Sequence, residues 1–159
     1  LGIDPGLGIT GYGLIDAHDN NVTLIEAGVI RSSPKDKIEK RLLGIYKKII
    51  KLIEDTKPCA VVLEELYSHY KHPKTSILMG HARGVICLAT EAKGIRLINY
   101  PTTRIKKAIT GRGHASKEQI QRTVSSLLSL KRMPEPVDIT DALALAITHA
   151  NVWGHKYDM

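Results

Sequence analysis

A mixed α/β fold, one five-stranded sheet with helices packed on it, is what this sequence predicts. Three observations carry that prediction. Short apolar runs lie at 1–4, 59–66 and 94–100, and two alternating runs, 10–16 and 22–30, follow the first of them. Segments with apolar residues three and four apart separate or follow the later runs. The order is therefore three strands, helix, strand, helix, strand and then helices only, the pattern of a sheet covered by helices. No repeat, low-complexity tract or linker divides the 159 residues, so a single domain over 1–159 is expected.

Residues 1–4 end the first strand. TGYGLID at 10–16 alternates as a second and VTLIEAGVI at 22–30 as a third, so the chain opens on an antiparallel meander. Pro34 precedes KDKIEKRLLGIYKKIIKLIED, whose apolar residues at 38, 42, 45, 49, 52 and 53 form one helical stripe with basic residues on the other face. After Pro58, CAVVLEEL at 59–66 is too apolar for anything but a central strand. YSHYKHPKT is polar and aromatic, hence a loop. The helix over 76–93 carries Gly80, Ala82, Gly84 and Ala89, small residues that let another element approach closely. GIRLINY at 94–100 is the last strand, TTRIKKAIT at 102–110 a short helix and GRGHA a turn. Ser116 caps a helix through Leu130 that MPEP stops, and the final helix starts near Asp138 in DITDALALAITHAN.

Composition narrows the function. Hydrophobic residues at 43% and charged ones at 25% are ordinary for a globular domain. No apolar stretch reaches the length of a membrane span, and no signal-peptide pattern opens the sequence. The chain begins at Leu1 rather than Met, the expectation for a sequence missing a short amino-terminal piece. Cys59 and Cys87 lie in apolar surroundings without metal-type spacing, as small core residues of a reduced, cytoplasmic protein. The net charge of +7 and pI near 9.4 favour a polyanionic partner. Within 101–133, Arg104, Lys106, Lys107, Arg112, Lys117, Arg122, Lys131 and Arg132 face the single acid Glu118. That local excess equals the excess of the whole chain, which points to nucleic acid rather than to an evenly solvated surface.

The acids carry the chemistry. Asp4 ends the first apolar strand, and Glu64 lies in the other very apolar strand, VVLEEL. Asp138 and Asp141, three apart at the start of the last helix, share one helical face. Singly, each has an ordinary explanation. Asp138 and Asp141 suit an N-cap and a first turn. Glu64 beside Glu65 suits one buried and one exposed acid, and Asp4 before Pro-Gly suits a turn. Together, two strand-embedded acids and a helical acidic pair would repel one another in a low-dielectric place unless a cation neutralised them. Oxygen ligands select hard metals, hence Mg²⁺ with Mn²⁺ as a substitute. Carboxylates, a divalent cation and a basic tract make a kit for phosphodiester hydrolysis. The seven histidines show no zinc spacing; His149 reads as a packed or capping residue, and His69, His72 and His114 as loop residues near phosphate. No Walker-type loop occurs.

With those residues placed, the sequence resembles the RuvC family, bacterial Holliday junction resolvases of the RNase H-like superfamily. GIDPGLGITGYG is similar to its first-strand signature, VVLEELY to its second acidic strand and GHARG to the start of its interface helix. ITGRGHASKEQI resembles its basic segment and DITDALALAITHA its terminal helix, so nearly the whole chain matches in order. The resemblance implies an RNase H-like fold and a metal-binding, catalytic tetrad of Asp4, Glu64, Asp138 and Asp141, the third being histidine in some members. It implies Tyr67 as an aromatic wedge at the junction centre and Lys106 and Lys117 near the scissile phosphate and DNA backbone. Arg104, Lys107 and Arg112 are further expected backbone contacts. It also implies a homodimer making paired symmetric nicks at short thymine-containing sites, working with the RuvA–RuvB branch-migration motor. The competing readings are a phosphotransferase of the actin and sugar-kinase type, which needs two such domains, and a non-catalytic junction binder, which has no need of four acids.

Overall fold

The computed structural model describes residues 1–18, 21–65 and 73–157, with side chains through residue 153. Strands β1 (Gly2–Asp4), β2 (Ile9–His18), β3 (Asn21–Arg31), β4 (Ala60–Glu64) and β5 (Arg96–Tyr100) form one sheet in the order β3-β2-β1-β4-β5. The first three make the antiparallel meander, whereas β4 pairs parallel with both β1 and β5. That parallel set brings Asp4, Glu64 and Tyr100, the last residues of three neighbouring strands, to one end of the sheet. Sites in α/β sheets are built at such carboxyl ends.

Helices α1 (Ile38–Thr56) and α2 (Pro73–Ala92) cover one face, and α5 (Val137–Tyr157) covers the other, with α3 (Thr102–Thr110) and α4 (Lys117–Leu127) packed on it. Alternation along β4 explains its unbroken apolar run. Val61 and Leu63 pack with Ile45, Ile49 and Ile86 on the α1–α2 side, and Val62 packs with Leu143 and Ile147 on the α5 side. The stripe expected on α1 is buried at Ile45, Ile49, Leu52 and Ile53. The helix stops where Lys57 turns left-handed, at φ 46°, just ahead of Pro58.

The differences from expectation are local. α2 starts at Pro73 rather than Ser76, because a first-turn residue loses nothing by lacking an N–H. α4 ends at Leu127, three residues short of Leu130, and Ser129 beyond it takes φ 50°. Its start is as expected. The Ser116 hydroxyl accepts from the Gln119 N–H at 3.2 Å, and the Gln119 side chain accepts from the Ser116 N–H at 2.9 Å. The cysteines need correction. Cys59 is exposed, since it precedes the first paired residue of β4, and Cys87 is only partly buried against the α1–α2 core. On α2 the small residues divide: Ala82 and Ala89 are buried, while Gly80 and Gly84 border open space.

Candidate active site

Period-two geometry decides where the strand acids point. Glu64 is two residues beyond Val62, so both face α5. Asp4 is two beyond Gly2, and a Cβ on Gly2 would overlap the carbonyl oxygen of Ala142 in α5. Asp4 therefore also faces α5. Across the β1–β2 ladder Gly2 pairs with Gly13 and Asp4 with Gly11. A Cβ on Gly11 would overlap the Asp138 carbonyl, and one on Gly13 would press into the Leu143 side chain. Gly2, Gly11 and Gly13 thus form a lane without side chains in which the α5 backbone lies directly on the sheet. That contact lowers Asp138 and Asp141, in the first turns of α5, onto Asp4.

The electrostatics follow. Burial pushes the Asp4 carboxyl from its ordinary value of 3.8 up to about 7, reinforced by the charges of Asp141, Asp138 and Glu64 in that order. Lys117 opposes the rise. Its ammonium pairs with Asp141 at 2.9 Å, and that hydrogen bond raises the lysine's own pKa. Glu64 accepts a hydrogen bond from the Thr102 hydroxyl at the start of α3. All four expected acids therefore share one electrostatic neighbourhood, with one cation already among them. Among the described residues no three acids, histidines or cysteines close into a ready metal shell. The donor set, oxygen throughout, suits a hard divalent ion such as Mg²⁺.

The basic residues are brought together only in part. Lys117 reaches the acids. Lys106 follows Thr102 by four residues on α3 and so lies on the helix face that meets Glu64. The Arg104 guanidinium lies 5.8 Å from the centroid of the Tyr100 ring. Lys107 and Arg112 are exposed. Tyr67, together with His69 and His72, lies outside the described residues. His149 is a packed histidine as expected, its Nδ1 2.9 Å from the Tyr100 hydroxyl, and burial lowers its pKa. Sequence reasoning missed Thr102 and the role of the glycines. The signal for the second was present: Gly11 and Gly13, two apart in a strand, must share a face.

A family model described as crossover junction endodeoxyribonuclease RuvC matches residues 1–149. A relative of that name from Rhodopirellula baltica is 46% identical over 147 residues, covering 92% of this chain and 83% of its own. One from Petrotoga mobilis is 46% identical over 151 residues, covering 95% and 92%. Thermus thermophilus RuvC solved in complex with a Holliday junction substrate superposes with a TM-score of 0.91 at 30% identity, covering 98% of this chain and 94% of that one. That likeness bears out the expected RNase H-like α/β fold. The glycine lane, the strand acids and the acidic helix thus occur in a chain that belongs to the RuvC family of crossover junction endodeoxyribonucleases.

Proposed function

We propose that this chain, as a single nuclease domain over residues 1–159, cuts four-way DNA junctions by metal-dependent phosphodiester hydrolysis. The observation that carries the reading is the convergence of three carboxylates, Glu64, Asp138 and Asp141, on Asp4 beside Lys117, in a fold that aligns with a junction-bound relative. Asp4, Glu64, Asp138 and Asp141 hold the divalent ion, Mg²⁺ by preference with Mn²⁺ as a substitute. Such an ion, when bound, activates water and stabilises the leaving oxygen. The protein's own part is positional. The glycine lane fixes the acids of α5 over those of the sheet. Thr102 orients Glu64. Lys117 pairs with Asp141 and supplies positive charge where a phosphate would enter. Lys106, Lys107, Arg104 and Arg112 follow the backbone, and Tyr67 takes the wedge role implied by the family resemblance.

The same reading includes a homodimer, since a junction with two-fold symmetry needs two matched nicks. α2 offers the surface: Ile77 and Leu88 are 60% and 61% exposed and line a groove with Gly80, His81, Gly84 and Leu42. Cooperation with RuvA–RuvB comes from the family resemblance, and a cytoplasmic location from the reading of the two free cysteines as reduced. No helix among the described residues is long and apolar enough to cross a membrane. One experiment tests the whole: cleavage of a synthetic four-way junction with Mg²⁺, alongside linear duplex and ATP, with sedimentation of the free protein. Paired nicks in the junction alone, made by a dimer, support the reading. ATP turnover or cleavage without divalent metal refutes it.

A further inference from the structure

Glu64 ends β4, and its backbone is tied at that point from two sides. The Glu65 N–H donates to the Tyr100 carbonyl of β5 at 2.9 Å. The Glu64 carbonyl accepts from Nη1 of Arg83, on α2, at 2.6 Å. Nη2 of the same guanidinium donates to the Asn99 side-chain oxygen on β5. One planar fork therefore joins α2, the end of β4 and β5. Arg83 is partly buried, on the flank of α2 between buried Ala82 and Ile86 and the exposed row of Ile77 and Leu88. It approaches Glu64 from the main-chain side, while Thr102 holds the carboxylate from α3.

We propose that Arg83 is a positioning residue for Glu64, with Asn99 holding the guanidinium in the orientation that makes it one. A carbonyl at the end of a central strand must be paired or hydrated. Pairing it to a cation gives a short, charge-assisted bond that fixes the Glu64 Cα. The Glu64 carboxylate then starts from a set origin in meeting Asp4, Asp138 and Asp141. Without the fork the strand end loosens and the carboxylate loses its place in the metal-holding set. The proposal rests on the reading of Glu64 as a member of that set.

The test uses Arg83→Gln, Arg83→Lys and Asn99→Ala in the whole chain. Three quantities are measured: Mg²⁺ affinity by calorimetry without DNA, the Mg²⁺ requirement for junction cleavage, and junction affinity in a gel shift without metal. Arg83→Gln is expected to weaken Mg²⁺ binding about 10–100-fold, the usual cost of losing an outer-shell partner, and to leave metal-free junction affinity unchanged. Arg83→Lys and Asn99→Ala fall between it and the wild type, since an ammonium is a point donor without the fork. Should Arg83→Gln fail to fold, the Asn99→Ala shift decides. Unchanged Mg²⁺ affinity overturns the proposal. A loss of junction affinity equal to the loss of cleavage also overturns it, because Arg83 would then be a DNA contact. Glu64→Gln run in parallel separates the two levels: unchanged Mg²⁺ binding in that variant removes the underlying reading, and the proposal with it.

Discussion

The two faces of the sheet are built on opposite rules. On the α1–α2 face, Ile45, Ile49, Leu63 and Ile86 interpose bulk between helix and strand, and all are essentially fully buried. On the α5 face, Gly2, Gly11 and Gly13 remove bulk, and the helix backbone rests on the strands. The first face gains stability from apolar area removed from water. The second gives up side-chain packing at the lane and obtains proximity, setting two helical acids over two strand acids where their charges oppose one another. A buried site of like charges costs free energy in the absence of metal, so the bulky face has to supply what the lane withholds.

The sharpest break in this comparison is chemical. Asp4→Asn and Asp141→Asn are expected to abolish junction cleavage in Mg²⁺ while the gel-shifted complex persists, since the proposed function assigns binding to the basic tract. Cleavage by either variant removes that residue from the catalytic set. Geometry comes next. Gly11→Ala forces the Asp138 carbonyl away, and a displacement near 1 Å is expected to slow cleavage by up to about 10²-fold per folded molecule. Ile49→Ala, its counterpart on the other face, is expected to cost about 2–5 kcal/mol in a denaturant titration with the cleavage rate of the folded fraction kept. Equal losses of rate and stability in both variants would erase the distinction between the faces.

A smaller effect is read by pH. Folded Asp4 keeps its proton up to about pH 7, whereas in the unfolded chain it ionises near 3.8. Folding therefore takes up a proton between those values, and stability falls as pH rises from about 4 to about 7. Asp4→Asn lacks this charge, so in chelator its melting temperature is expected to exceed the wild type's by a few degrees at pH 7 and to converge with it near pH 4. A gap that stays constant with pH contradicts the assignment. The smallest effect concerns salt. Lys106→Ala and Lys117→Ala are each expected to flatten the log–log salt dependence of junction binding by about 0.9.

The acids were legible in the sequence because a carboxylate inside an apolar strand has no cheap explanation, and because Asp138 and Asp141 declare their shared face by spacing alone. The Ser116 cap was legible for the same local reason, although sequence reasoning missed the reciprocal Gln119 bond. Thr102 and the glycine lane were not, since each acquires meaning only through a partner distant in sequence: Glu64 for the first, the Asp138 and Ala142 carbonyls for the second. Cys59 misled because apolar neighbours in sequence say nothing of which residue opens the ladder. Register, not composition, decided it.

A chain built this way can be thermostabilised from one side only. Replacing glycine by alanine in a regular element is a common route to stability, and the lane forbids it at three positions by putting a methyl group where a backbone oxygen or a leucine side chain already lies. Gly44, in the middle of α1, has nothing within 4 Å of the place a methyl group would take, and alanine there is worth about 1 kcal/mol of helix propensity. Engineering effort, and equally neutral drift, therefore has room on the α1 side and almost none beneath α5. Variation among functional descendants of this sequence would be expected to accumulate accordingly, with the glycines under the acidic helix as slow to change as the acids themselves.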